Sequence, residues 1–229
     1  MKLLVSDYDG TFNEDEKKIK IDKNVEAIRR FMDNGNIFAF ATGRSFDSIK
    51  GETIKYNIPY NYLICNNGTS IFDWNDNLIF QNKIILDNVF RTLEYLKKLD
   101  FVESIELKDA YEHDTKSVLD VCEIICTLKF RNILDLKKIK NEINFLSCFS
   151  FMNVVYLKER FDKKYGVYVV SKIEGINKND IYTIGDASND KGMISEFNGY
   201  KMPLSYPSVM FGDSKFIKSV DALVRKIER

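Results

Sequence analysis

The chain has only one histidine, His113, and four cysteines, and this scarcity excludes most transition-metal chemistry. A protein with a single histidine cannot build a histidine-based metal site. The cysteines lack the paired short spacings of a zinc site, so we expect buried thiols that act as small apolar side chains. They are Cys65, Cys122, Cys126 and Cys148.

Net charge and long apolar runs are also missing. Lys+Arg and Asp+Glu both total 34, so no overall field attracts nucleic acid or acidic lipid. No segment approaches the roughly 20 apolar residues of a membrane span. The first apolar stretch is interrupted by Asp7 and is too short for a signal peptide. We expect a soluble, cytoplasmic protein that binds neither nucleic acid nor membrane. Its oligomeric state cannot be inferred from the sequence.

Two short acidic segments each follow an apolar run. Asp7-Tyr8-Asp9-Gly10-Thr11 follows residues 3–5, and Gly185-Asp186-Ala187-Ser188-Asn189-Asp190 follows residues 181–184. Such runs are typical of buried parallel strands, and open α/β sheets bind ligands beyond the carboxyl ends of their strands. Carboxylates gathered there repel each other unless a cation joins them, and hard oxygen ligands favour Mg²⁺ over zinc or copper. The two segments therefore predict a magnesium-dependent phosphoryl-transfer site.

The first segment has the spacing that such chemistry needs. Asp7 and Asp9 are two residues apart, so an extended backbone can direct both toward one cavity, where one attacks phosphorus and the other handles protons. Gly10 allows a sharp turn that brings backbone N–H groups near a phosphate. An EF-hand is excluded because its glycine and glutamate positions hold Phe12 and Lys18. An ordinary turn rich in Asp and Gly remains the alternative.

The order of predicted elements indicates two domains. Before about residue 72 and after residue 160, apolar strands alternate with amphipathic helices, the pattern of a parallel α/β sheet. Between them each helix is followed by two strands, the order of an antiparallel sheet with helices on one side. We predict an α/β protein with a Rossmann-like core (residues 1–72 and 161–229) and an inserted α+β cap, or lid (residues 73–160). Three aromatic residues of this cap either pack it or line a cavity: Trp74, Tyr111 and Phe130.

Four motifs in this order resemble those of the haloacid dehalogenase-like (HAD) phosphatases, and they span nearly the whole chain outside the cap. The motifs are Asp7-Tyr8-Asp9-Gly10-Thr11, then Thr42-Gly43-Arg44, then a lysine, then residues 185–190. The chain is most similar to the Cof-like, type IIB members, which carry their cap between the third strand and the motif lysine. These members also have Asn-Gly after that strand, as in Asn67-Gly68 here.

The resemblance implies a role for each motif residue. Asp7 would be the nucleophile that forms an aspartyl-phosphate. Asp9 would donate a proton to the leaving oxygen and then accept one from the attacking water. The hydroxyl and backbone N–H of Thr42 would hold a phosphate oxygen. The residues implied to contact the phosphate are Thr42, Gly43, Arg44, Asn67 and Asn189.

The resemblance also implies Mg²⁺ as cofactor. Asp186 would bind the ion directly and Asp190 directly or through water, and Asp7 and the backbone carbonyl of Asp9 would complete the protein ligands. The motif lysine would neutralise charge shared by the nucleophile and the phosphoryl group. Lys163 fits its position best, and Lys164 is one residue away.

The sequence leaves open the partner of Arg44 and the choice between three related functions. Arg44 either contacts phosphate or binds a carboxylate from the start of its helix. The favoured function is hydrolysis of a small phosphorylated metabolite, a sugar phosphate by preference, with the lid closing over the substrate. The alternatives are a phosphomutase of the same fold and a non-catalytic sensor of a phosphorylated ligand, although a sensor would be expected to lose Asp7 or Asp9.

Overall fold

A computed structural model of the chain describes residues 1–14, 18–203, 205, 207 and 215–228. The chain divides into two compact units. The first contains Met1–Phe80 and Asp162–Arg229, and the second contains Gln81–Phe161.

The described residues alternate between strands and helices along most of the chain. The strands are β1 (Leu3–Ser6), β2 (Ile37–Ala41), β3 (Tyr62–Cys65), β4 (Ser70–Asp73), β5 (Leu78–Gln81), β6 (Val102–Lys108), β7 (Glu123–Leu128), β8 (Ser147–Phe151), β9 (Val154–Lys158), β10 (Ile181–Gly185), β11 (Asn198–Lys201) and β12 (Lys215–Phe216). The helices are α1 (Lys18–Asp33), α2 (Phe46–Lys55), α3 (Leu86–Leu96), α4 (Ile133–Glu142), α5 (Lys163–Ile173), α6 (Lys191–Glu196) and α7 (Val220–Ile227).

The first unit is built on an eight-stranded sheet with the order β12-β11-β10-β1-β2-β3-β4-β5. The strands from β12 to β3 pair in parallel, and β4 returns antiparallel to β3. β1 lies near the middle, between β10 and β2. All four of its residues are buried, as expected for a parallel strand that helices cover on both faces.

Apolar side chains from both faces of the sheet form the core. On one face Leu3 and Val5 of β1 belong to the same buried cluster as Val167 and Val170 of α5. Another part of the core is aromatic, with the ring of Phe12 in edge-on contact with Phe40 at a centroid distance of 5.0 Å. Such ring pairs are favoured geometrically as well as by apolar burial. The core therefore fixes β1 and the loop that follows it.

The first unit extends further along the chain than the sequence suggests. The expected boundary at residue 72 falls inside β4, because β4 continues the sheet by pairing Ile71 and Phe72 with Ile64 and Leu63 of β3. The unit then includes residues up to Phe80. Trp74 consequently belongs to the first unit and not to the inserted one.

The second unit repeats the order helix–strand–strand, from α3 to β7 and from α4 to β9. Its antiparallel sheet has the order β6-β7-β9-β8. Alternate residues of β7 are fully buried and share one cluster with α3 and α4, so the helices cover one face. The chain thus has the expected fold class, a Rossmann-like parallel core with an inserted α+β cap.

The aromatic residues and the thiols singled out from the sequence differ in exposure. Trp74 and Phe130 are 65% and 82% exposed, so packing is the wrong interpretation for both of these side chains. Cys65, Cys122 and Cys126 are buried and unbridged, as expected. Burial raises the pKa of the Cys126 thiol to about 11. None of the helices in the described part of the chain has both the length and the apolar character needed to cross a membrane.

Candidate active site

Strand register brings the two acidic segments together. Ser6, the last residue of β1, pairs with Ile184 of β10 on one side and with Phe40 of β2 on the other. The next residue, Asp7, donates its backbone N–H to the carbonyl of Ile184 over 2.9 Å. Asp7 and Asp186 therefore leave neighbouring strands at the same edge of the sheet, where ligands bind in open α/β folds.

Lys163 is the centre of the charged cluster. It is the first residue of α5 and is fully buried, yet its Nζ lies 2.6 Å from Asp7 Oδ1 and 2.6 Å from Asp190 Oδ1. Burial alone would lower the pKa of Lys163, but the two carboxylates raise it above the ordinary value. Lys163 is therefore held as a cation. Lys164 is half-buried, and its Nζ lies over the ring of Tyr165 instead.

The helix that carries Lys163 begins at a defined residue. Asp162 caps it, because its side chain accepts a hydrogen bond from the backbone N–H of Tyr165. The start of the helix rests on the turn after β3, where Gly68 has a φ of +99°. A Cβ on Gly68 would lie 2.4 Å from the carbonyl oxygen of Asp162. This close approach explains the glycine of Asn67-Gly68.

The second acidic loop is held by its own last carboxylate. Asp190 Oδ2 accepts the backbone N–H groups of Asp186 (3.0 Å) and Ala187 (2.9 Å), while its Oδ1 accepts from Lys163. Asp190 is fully buried. Asp186 Oδ1 accepts the hydroxyl of Thr11 over 2.8 Å, so the first loop also fixes the second.

Three of the predicted metal ligands can reach one ion. Carboxylate oxygens of Asp7, Asp186 and Asp190 all lie within 4.8 Å of one another. Burial, followed by repulsion from Asp190 and Asp186, raises the pKa of Asp7 well above its usual value although Lys163 opposes this. Burial raises the pKa of Asp186 as well. Three carboxylates and one lysine leave two negative charges, which a divalent cation offsets; this donor set fits Mg²⁺.

Asp9 has a different partner from the other acids. Its side chain is 56% exposed, and both of its oxygens accept hydrogen bonds from Arg44. Arg44 Nε lies 2.8 Å from Asp9 Oδ2, and Arg44 Nη2 lies 2.7 Å from Asp9 Oδ1. Of the two alternatives for Arg44, the structure has the carboxylate contact.

Thr42 lies at the end of β2, beside this pair. The structure corrects one expectation, because its backbone N–H donates to the carbonyl of Ile64 over 2.9 Å and is not available to a phosphate. The sheet continues one residue beyond β2, and this extension uses the N–H group. The Thr42 hydroxyl accepts the backbone N–H of Arg44 over 3.1 Å. Only the hydroxyl of Thr42 can therefore face a ligand.

Two asparagines join separate loops of the candidate site. Asn189 donates its side-chain N–H to Asn67 Oδ1 over 2.8 Å. The backbone N–H of Asn67 donates to the carbonyl of Thr42, and a Cβ on Gly43 would contact the Asn67 side chain at 3.4 Å. Asn67 has a φ of +55°, a conformation that asparagine tolerates better than most residues. The three loops thus form one continuous rim.

Comparison with known proteins agrees with this geometry. A sequence model of the haloacid dehalogenase-like hydrolase family matches residues 4–118 and 106–209, which include every motif described above. The chain belongs to the haloacid dehalogenase-like hydrolases.

Relatives in sequence of this hydrolase are named as phosphatases. A protein of Buchnera aphidicola (subspecies Schizaphis graminum), provisionally named a phosphatase, is 25% identical over 226 residues, covering 85% of this chain and 81% of that protein. The 5-amino-6-(5-phospho-D-ribitylamino)uracil phosphatase of Bacillus subtilis is 34% identical over 91 residues, or 39% of this chain and 35% of that enzyme.

Solved structures share the fold of this hydrolase. BT1666 of Bacteroides thetaiotaomicron, described among HAD phosphatases, has a TM-score of 0.78 at 17% identity, covering all of this chain and 94% of that one. The subclass IIB sugar phosphatase BT4131 has a TM-score of 0.71 at 16% identity, covering 100% of this chain and 98% of that one.

Three residues near the site of this hydrolase received no role from the sequence. Thr11 belongs to the first motif, so its bond to Asp186 could have been anticipated. Tyr8 is fully buried, and its hydroxyl donates to Glu52 Oε2 over 2.6 Å. Burial, reinforced by this bond, raises the pKa of Tyr8. Glu52 lies on α2 outside any motif, and no signal in the sequence identifies it.

Proposed function

We propose that this hydrolase is a Mg²⁺-dependent phosphatase that acts on a small phosphorylated metabolite through an aspartyl-phosphate on Asp7. The observation that carries the proposal is the position of the Asp7 carboxylate, which is bonded to the buried Lys163 and lies within metal reach of Asp186. Phosphatases among the sequence relatives support the activity class.

The first step would transfer the phosphoryl group to Asp7. A carboxylate oxygen forms a bond to phosphorus, the ester P–O bond breaks, and the leaving oxygen takes a proton from Asp9. Lys163 reduces the repulsion between Asp7 and the phosphate, because its ammonium group is fixed between two carboxylates.

The second step would free Asp7. A water molecule attacks phosphorus, the acyl-phosphate P–O bond breaks, and Asp9 accepts the proton from water. The Thr42 hydroxyl and the rim formed by Gly43, Asn67 and Asn189 would hold the phosphate oxygens during both steps.

Asp7, Asp186 and the Asp9 carbonyl would hold Mg²⁺ directly. Asp190 would act through water, because both of its oxygens already accept hydrogen bonds from Lys163 and the loop backbone. A bound Mg²⁺ would offset the charge of the phosphate oxygens. Direct coordination is therefore expected from the two carboxylates that have fewer internal partners.

We further infer that the substrate is a phosphorylated sugar or sugar alcohol. The names of BT4131 and of the Bacillus subtilis enzyme refer to such compounds, and these proteins resemble this chain in fold and in partial sequence, respectively. The first unit would carry the chemistry, and the inserted cap, Gln81–Phe161, would select the substrate. We infer a cytoplasmic location from this substrate class.

Phosphate release from a panel of sugar phosphates, with and without Mg²⁺, tests the proposal. We expect release with Mg²⁺ and none from the Asp7→Asn variant, whereas Asp221→Asn, which changes a pair with Arg225 within α7, should retain activity. Isomerisation of a hexose 1-phosphate without release would indicate a mutase. Binding without any turnover would indicate a sensor.

A further inference from the structure

Two consecutive residues, Tyr8 and Asp9, contact the guanidinium group of Arg44. Asp9 binds one edge of its guanidinium group through Nε and Nη2. The ring of the preceding residue, Tyr8, lies beneath the group with its centroid 5.1 Å from Cζ. The remaining nitrogen, Nη1, donates to Ser48 Oγ over 3.2 Å. Asp9 therefore occupies the Nε/Nη2 edge of the guanidinium, and Ser48 binds the nitrogen on the other side.

Glu52 supports the same group from α2. Its Oε2 accepts the Tyr8 hydroxyl at 2.6 Å, and its Oε1 lies 4.0 Å from Arg44 Nη1. Glu52 therefore contacts both the hydroxyl of Tyr8, whose ring lies beneath Arg44, and Nη1, the guanidinium nitrogen turned away from Asp9. Its side chain is only 20% exposed, so these contacts are partly shielded from water.

We propose that Glu52 and Tyr8 are positioning residues that fix Arg44, and that Arg44 thereby fixes the direction of the Asp9 carboxylate. The inference rests on the proposed function. Two parallel N–H···O bonds fix both the plane and the direction of the Asp9 carboxylate. The Asp9 side chain is more than half exposed, so this pair is its main restraint. Lysine could not replace the arginine because it lacks the planar pair of donors.

The inference makes a prediction that separates the two steps. p-Nitrophenyl phosphate has a leaving group that needs no proton, so the burst of p-nitrophenol reports phosphorylation of Asp7 alone. In Glu52→Gln the burst should keep its rate within about 2-fold, while steady-state turnover falls about 10-fold, as expected for a misplaced catalytic group. Tyr8→Phe keeps the ring but loses the bond to Glu52, and it should change turnover in the same direction.

A double-mutant cycle tests whether Glu52 acts through Asp9. In an Asp9→Asn background, Glu52→Gln should cost no further turnover. Glu228→Gln is the matched control, because it breaks an exposed pair with Arg30 in the same unit and should change neither step. Equal losses of burst and turnover in Glu52→Gln, or losses that multiply in the cycle, would overturn the inference and favour a phosphate contact for Arg44.

Failure of the proposed function would give a different result. Wild-type protein that releases neither p-nitrophenol nor phosphate would contradict the phosphatase activity itself. The inference would then be decided by crystal structures of the wild type and Glu52→Gln. We expect the paired bonds between Arg44 and Asp9 in the wild type and their loss or rearrangement in the variant. An unchanged pair in Glu52→Gln would overturn it.

Discussion

Gly10 and Asp186 are so close that residue 10 has no room for a side chain. A Cβ on Gly10 would lie 2.5 Å from Asp186 Oδ2, and the residue has a φ of +78°. Gly10→Ala should therefore displace Asp186 and lower phosphate release at least 10-fold, in addition to the roughly 1–2 kcal/mol cost of a left-handed alanine. Steady-state rates and the free energy of unfolding measure the two effects.

Gly35→Ala is the control for backbone strain. Gly35 has a φ of +75°, but nothing lies within 4 Å of an added Cβ. This variant should lose a similar amount of stability and retain activity. If both variants lose activity equally, the contact with Asp186 is not what requires glycine at position 10.

Lys163→Met tests the buried cation. The change leaves Asp7 and Asp190 unpaired, so we expect a loss of about 3–5 kcal/mol in the free energy of unfolding and no turnover. Lys164→Met should change stability by less than about 0.5 kcal/mol, because that side chain is half-buried and pairs with neither acid. Urea unfolding measures both. A larger effect at position 164 would contradict the assignment of the motif lysine.

Mg²⁺ should stabilise the protein as well as support turnover. A ligand that binds only the folded state at 100 times its dissociation constant adds about 2.7 kcal/mol, which thermal unfolding detects. Asp186→Asn should abolish this shift. EDTA should stop phosphate release, and Ca²⁺ should restore it poorly because it relaxes octahedral geometry. Full activity in EDTA would contradict the metal assignment.

The sequence was most informative where local chemistry follows directly from a strand end. The apolar runs before Asp7 and Asp186 predict parallel strands, and the fold has them as neighbours, with Lys163 reaching Asp7 from the helix after the cap. Because the end of each strand fixes the position of the next residue, the apolar runs alone predict that Asp7 and Asp186 meet. Lys163 was expected from the resemblance to the family.

The parts that could not be predicted depend on contacts between distant residues. Glu52 belongs to no motif, and its bond to Tyr8 depends on how α2 packs against the loop after β1. The sequence places the end of the first unit too early, because β4 pairs with β3 in the first sheet. In the sequence, this hairpin of short strands looks like the strand pairs of the cap. The Thr42 N–H was assigned to phosphate because the motif does not reveal that the sheet continues past β2. In the structure this N–H bonds to the carbonyl of Ile64 on the neighbouring strand.

Trapping of the covalent intermediate tests the central claim most directly. The enzyme is mixed with Mg²⁺ and p-nitrophenyl phosphate, quenched in acid within milliseconds, and its peptides are mapped by mass spectrometry. We predict phosphate on Asp7, with none in the Asp7→Asn variant. Two results would contradict the account: phosphate release without any phosphoryl group on Asp7, or a phosphoryl group found only on another residue.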